Sequence, residues 1–171
     1  NLLVHREIAP EIIPKLVEKF QEKEVALVGC DETCKIATGL SPALENEWDE
    51  EYNDLKLAIK IVGDLEEAIS FINKHGSGHT DTIITENAET AEEFMNGVNS
   101  ASVMCNASTR FADGFRYGLG AEIGISTNKT HARGPVGLEG LVIYKYRVYG
   151  KGQIVSDYTG ENARSFTHKP L

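Results

Sequence analysis

The 171-residue chain carries 17 Lys and Arg against 26 Asp and Glu, a net charge of −9, with 41% hydrophobic and 25% charged residues. That composition suits one globular domain with a real core. It excludes the basic surface of an ordinary nucleic-acid binder, and no apolar run is long enough to cross a bilayer as a helix. Three cysteines without disulfide-type spacing point to a reducing, cytoplasmic home. The chain lacks an initiating Met and opens inside an apolar run, Asn1-Leu-Leu-Val4, which predicts a piece of a longer polypeptide and no secretory leader.

Leu2–Val4 reads as a short buried strand. A helix follows, with Pro10 at its start and Ile12, Ile13, Leu16, Val17 and Phe20 at helical spacing. Pro14 falls near its first turns, where proline costs least. Val25–Val28 is a second strand, ended by Gly29. Residues 30–50 are poorly patterned and read as a short helix and a loop. Cys30 and Cys34 stand as Cys-x₃-Cys, but no further ligands follow at a matching spacing, so no metal is expected.

Leu57–Val62 is a near-continuous apolar run, the pattern of a strand covered on both faces of a parallel sheet. Asp64, with Glu67 three residues on, caps a helix carrying Ala68, Ile69, Phe71 and Ile72 and ending near Gly76-Ser-Gly78. Thr82–Ile84 is the next strand, 88–98 a helix, and Ala101–Cys105 another strand. Strands alternating with helices at this spacing predict βαβ units in a parallel sheet, an α/β fold. Right-handed crossovers put the strand C-termini on one edge, where ligands bind. Asn106–Arg110 follows the last strand at that edge. After Gly140, Leu141–Tyr149 is β-rich, with Tyr144, Tyr146 and Val148 alternating. Gly150-Lys-Gly152 turns it toward Gln153–Ser156, a predicted hairpin. Residues 158–171 read as a loosely packed tail.

The stretch 103–140 has neither helical nor strand period. Glycines recur at 114, 118, 120, 124, 134, 137 and 140, among Ser108, Thr109, Arg110, Arg116 and Arg133. Glycine admits close backbone approach, and hydroxyls, guanidinium groups and bare N–H groups are the equipment of an anion-reading loop. A plain surface loop with turn glycines is the competing reading, set against the rarity of long ordered loops without function.

Three blocks carry a family resemblance: Asn106-Ala-Ser-Thr-Arg-Phe-Ala-Asp-Gly114, Gly118-Leu-Gly-Ala-Glu-Ile-Gly-Ile-Ser-Thr127 and His131-Ala-Arg-Gly-Pro-Val-Gly-Leu-Glu-Gly140. They resemble γ-glutamyl phosphate reductase, of the aldehyde dehydrogenase superfamily. Val62, Ala68, Ile72, His75-Gly-Ser-Gly-His79-Thr-Asp81 and Ile83 match that family's signature spacing, and Leu2-Leu-Val-His5 resembles the strand just after its nucleophile. The resemblance spans nearly the whole chain.

It implies a parallel-sheet catalytic domain over 1–140, a β oligomerisation arm over 141–157 and a tail over 158–171. The implied reaction is NADPH-dependent reduction of L-glutamyl 5-phosphate to L-glutamate 5-semialdehyde and phosphate, in proline biosynthesis. Such chemistry needs a thiolate to take the acyl group, a hydride, and donors for the oxyanion. The family's cysteine, in Cys-Asn-Ala, lies upstream of Asn1, so no catalytic residue falls in this chain, which alone is expected to be inactive. Cys105-Asn106-Ala107 copies that tripeptide, but the family places a non-catalytic residue there. Implied substrate contacts are Asn106, Ser108, Thr109, Arg110, Gly120 and Ala121, the last two through backbone N–H groups. Glu51 resembles the glutamate that grips the nicotinamide ribose, although Tyr52-Asn-Asp54 replaces the familiar Phe-Gly-Pro.

Alternatives stay open at several positions. Arg110 reads either as a substrate cation or as an ion-pair partner of Asp113 or Glu122, and Asn106 as a loop brace or a substrate contact. His79 reads as a structural hydrogen-bonder, and His131 and Arg133 as scaffold or phosphate neighbours. The 141–157 run either pairs with a second subunit or folds back on its own domain. Implied partners are the upstream cofactor-binding part of the same protein and further copies of it, in a homodimer or larger assembly. From another functional class comes a catalytically silent domain for assembly or anion binding.

Overall fold

The computed structural model describes residues 1–168. It divides into two compact units after Leu141. The first unit is built on a four-stranded parallel sheet in the order β1 (Leu2–His5), β4 (Lys56–Val62), β2 (Ala26–Gly29), β3 (Ser41–Pro42). Leu2 faces Ile59 and Leu27 faces Leu57 across the ladders. Helix α1 (Ala9–Gln21) begins with Pro10 in its first turn and tolerates Pro14 inside. It lays Ala9, Ile13 and Val17 against Val4, Leu27, Ile59 and Ile61, with Ile13 and Ile59 wholly buried. On the opposite face Ala58 and Val28 meet Trp48, and Trp48 packs edge-on to Phe71, ring centroids 5.6 Å apart. Both faces of β4 are therefore covered, as its near-continuous apolar run requires.

Helix α2 (Asp31–Ile36) follows β2 and is sewn to β4 by Thr33 Oγ1 donating to Ile59 O at 3.1 Å. Helix α3 (Leu65–His75) starts at Asp64, whose carboxylate accepts the Glu67 N–H at 2.8 Å. Glu67 reaches back to the Gly63 N–H, also at 2.8 Å, one residue beyond the Asp64 N–H that the predicted reciprocal box uses.

Strand β5 (Thr80–Ile83), helix α4 (Ala88–Gly97) and strand β6 (Ser102–Cys105) form the expected parallel βαβ unit, Thr80 facing Ser102 and Ile83 facing Cys105. This pair is a sheet of its own, and the expectation of one continuous sheet is corrected. β1 and β2 occupy both sides of β4, so β5 cannot pair with it, and the outer edges of β1 and β3 take no further strand among the described residues. A short antiparallel pair, β7 (Gly124–Ser126) and β8 (Gly134–Val136), completes the unit. No helix among the described residues is long and apolar enough to cross a membrane.

In the second unit the predicted hairpin of 141–149 with 153–156 is not formed: no ladder pairs these segments. Ile143 and Val148 are about 90% exposed, and Tyr144, Tyr146 and Tyr149 more than 80%. An isolated two-stranded ribbon with nothing to pack against is marginal in water. The 158–168 segment is locally tied instead. Tyr158 stacks on Phe166 at 5.1 Å, and the Arg164 N–H donates to Asp157 O at 2.8 Å. Residues 169–171 of the predicted tail lie outside the described residues.

Candidate functional site

The site is assembled at the C-terminal ends of β5 and β6. Asn106 leaves β6 with φ +53. Its Oδ1 accepts the Thr85 N–H at 2.9 Å and its Nδ2 donates to Thr85 O at 2.7 Å, so its amide braces the loop after β5. These two bonds are what the bracing reading of Asn106 expects. Thr82 Oγ1 adds a bond to Ala107 O at 2.9 Å. Ser108 caps a short 3₁₀ turn, Thr109–Phe111, with its hydroxyl accepting the Arg110 N–H at 3.2 Å. The N–H groups of Ala107, Ser108 and Thr109 donate to nothing among the described residues.

Arg110 is exposed, and its guanidinium makes no ion pair or hydrogen bond among the described residues. Neither predicted ion-pair partner takes it: Asp113 pairs with Arg116 at 3.6 Å, and Glu122 accepts the Gly114 N–H at 2.7 Å. Arg116, grouped by the sequence with the anion-reading cations, is a tie instead. Its guanidinium also donates to the Arg110 carbonyl, joining the strand-end turn to the glycine loop.

That loop, 113–122, returns the chain alongside β6, at the strand's first residue. The Tyr117 hydroxyl meets Ser102 Oγ at 2.8 Å, pinning it to β6. Gly120 has φ +79 and open space where a Cβ would stand, so only glycine takes this conformation without strain. The N–H groups of Gly120 and Ala121 have no acceptor among the described residues. Gly137 lies against the same segment, where a Cβ would approach Leu119 O to 3.2 Å and Ala121 O to 3.4 Å. A lone exposed guanidinium and several unengaged backbone donors, on one loop system, can hold carboxylate or phosphoryl oxygens.

Other sequence candidates go elsewhere. Glu51 is exposed with its carboxylate unpaired among the described residues, and precedes β4, whereas Asn106 follows β6. Its loop is held by a half-buried Lys56–Glu47 ion pair, by Tyr52 Oη donating to Glu47 O at 3.1 Å, and by His75 Nδ1 on Asp49 at 2.7 Å. Nothing in the sequence reading found this brace, although Glu47 and Lys56 are nine positions apart. His79 Nδ1 is 2.6 Å from Thr80 Oγ1, matching the structural reading. Arg133 turns to Asn99 O at 2.5 Å, away from the strand end, and His131 is exposed.

Cys105 ends β6 and faces Ile83. Burial pushes the Cys30 thiol up, but hydrogen bonds from the Ile61 N–H and from Thr33 outweigh it and bring it below the usual thiol value, while burial raises Cys34. Among the described residues no three His, Cys, Asp or Glu side chains converge on a metal-sized point.

The parallel-sheet α/β architecture is that of an aldehyde dehydrogenase-type catalytic domain. No family model matches the chain. Over its whole length it is 57% identical to a γ-glutamyl phosphate reductase of Acetivibrio thermocellus and, over an aligned 177 residues, 57% identical to one of Methanosarcina acetivorans. The crystal structure of the Thermotoga maritima γ-glutamyl phosphate reductase superposes on 90% of the chain with a TM-score of 0.85 and 47% identity. The chain spans 39% of the length of these curated relatives and 37% of the Thermotoga chain. It belongs to the γ-glutamyl phosphate reductase family.

Proposed function

We propose that this chain is the C-terminal portion of an NADPH-dependent reductase that converts L-glutamyl 5-phosphate to L-glutamate 5-semialdehyde and phosphate in the cytoplasm. The observation that carries the reading is the company of an unpaired cation, Arg110, and the free N–H groups of Gly120 and Ala121, in a chain 57% identical to such reductases. Gly120 and Ala121 donate to the α-carboxylate of the glutamyl group. Arg110, with Ser108 and Thr109, holds the second anionic end, where a planar fork grips two oxygens at once. Asn106 sets the turn rather than touching substrate.

The acyl-accepting cysteine belongs to the segment upstream of Asn1, as does most of the cofactor site. NADPH, when bound, supplies the hydride. In this chain only Glu51 is assigned to it. An exposed, unpaired carboxylate fits two ribose hydroxyls as acceptor. The upstream part and further copies of the same polypeptide, in a homodimer or larger assembly, are the partners.

The test is the reverse reaction, with glutamate 5-semialdehyde, phosphate and NADP⁺, followed by NADPH absorbance. The 171-residue chain alone gives no signal, and its fusion behind the upstream segment of the Acetivibrio thermocellus relative does. A thiol-blockable signal from the chain alone would point to Cys105 and overturn the residue assignment. An inactive but folded fusion would leave the silent anion-binding domain as the better reading.

A further inference from the structure

The glycine loop is closed by one side chain. The Gly114 N–H donates to Glu122 Oε2 at 2.7 Å, and Gly114 O accepts the Leu119 N–H at 2.8 Å, so both polar groups of Gly114 face the far end of the loop. The closure is tight: a Cβ on Gly114 would stand 2.7 Å from Gly120 O and 3.1 Å from Glu122 Cβ. Glu122 makes no ion pair among the described residues. A charge-assisted bond to a backbone N–H is among the stronger kinds. The 115–118 turn is held separately by Asp113, and this bond anchors the glycine-containing 118–121 half of the loop. The two residues just before Glu122 are Gly120 and Ala121, whose N–H groups stay unengaged.

We propose that Glu122 is a positioning residue: by holding the Gly114 N–H its carboxylate fixes the orientation of the Gly120 and Ala121 donors, without touching substrate. This rests on the reading of that loop as the glutamyl site. Loss of the latch leaves the donors present but no longer pre-set, so acyl-substrate binding weakens while cofactor binding does not.

The test uses the active fusion with three variants. Glu122→Ala should raise the KM for glutamate 5-semialdehyde about tenfold or more and leave that for NADP⁺ within about twofold. Glu122→Gln keeps an acceptor oxygen and should recover most of the loss. Gly120→Val, forced into a backbone conformation valine avoids, perturbs the loop directly and should raise the same KM. Amide exchange in Glu122→Ala should accelerate at Gly114 with the β4 amides still protected. An unchanged KM in Glu122→Ala beside a raised one in Gly120→Val overturns the latch alone. Unchanged values in both overturn the loop's role as the glutamyl site. Equal rises in both KM values, unrescued by Glu122→Gln, would mean a merely structural residue and also overturn the proposal.

Discussion

Asn106 grips the main chain of Thr85 at both ends, accepting its N–H at 2.9 Å and donating to its carbonyl at 2.7 Å, from a backbone turned to φ +53. Asparagine is one of the few side-chain-bearing residues that enter this region at low cost, and here it also supplies the two bonds. Asn106→Ala loses both bonds and keeps the strained turn, so it should destabilise by about 1–3 kcal/mol. Asn106→Gly relieves the turn and should cost less. Urea denaturation of the two variants checks the order. A milder effect from alanine than from glycine would mean that the left-handed turn carries no strain.

Much of this arrangement is legible without coordinates. The spacing of Ile12, Ile13, Leu16 and Val17 gives α1, the near-continuous apolar run ending at Val62 gives β4, and Asp64 starts α3. These are local signals. What the sequence hides is non-local. Nothing near Thr80 says that β5 will pair with β6 rather than with an edge of the first sheet, so the split of the sheet is invisible. The three-residue strands β7 and β8 contain glycine and proline and have no readable period. Residues fit for an anion loop were readable by type. Which cation stays free was not, because Arg110 and Arg116 differ only in what the folded loop offers each: solvent for one, Asp113 and a carbonyl for the other.

That difference predicts opposite phenotypes. The Arg110 guanidinium is unpaired among the described residues, so Arg110→Ala should leave the thermal midpoint unchanged and, in the active fusion, raise the substrate KM or cut turnover about tenfold to a thousandfold. Arg116→Ala should instead lower the midpoint, because it releases Asp113 and the Arg110 carbonyl. Wild-type kinetics in Arg110→Ala would remove Arg110 from the site.

The brace beneath Glu51 titrates. A hydrogen bond from Lys56, then one from the Leu44 N–H, holds the Glu47 carboxyl below its ordinary value, and the same pair raises Lys56. For Glu47 the folded pKa is depressed, so its stabilisation is present above the unfolded value of about 4.3 and is lost as pH falls through the folded one. For Lys56 the folded pKa is raised, so its share is present below about 10.4 and is lost as pH rises through the folded value. Glu47→Gln should therefore lower the thermal midpoint by a few degrees near neutrality and flatten its fall on acidification. Lys56→Met should do more harm, stranding a carboxylate that is only 9% exposed. Melting curves across pH decide, and a Glu47→Gln profile parallel to wild type removes the pair as the titrating element.

The run from Val142 to Tyr149 has strand-like alternation yet no ladder, with Tyr144, Tyr146 and Val148 on one parity and Lys145 and Arg147 on the other. Side chains of this kind left 80–90% exposed mark a surface awaiting cover. An extended segment gains most by adding to a sheet edge, where main-chain bonds supply affinity and alternate side chains supply specificity. A second copy of the same polypeptide is the partner proposed above. Deleting 141–157 from the active fusion should shift it toward monomer in light scattering. Tyr146→Pro tests the mode of pairing, because proline removes one ladder donor and is confined to sheet edges. Full loss of assembly on deletion with no effect of proline would mean that the arm packs by its side chains rather than as an added strand. An unchanged oligomer after deletion would reject the arm altogether.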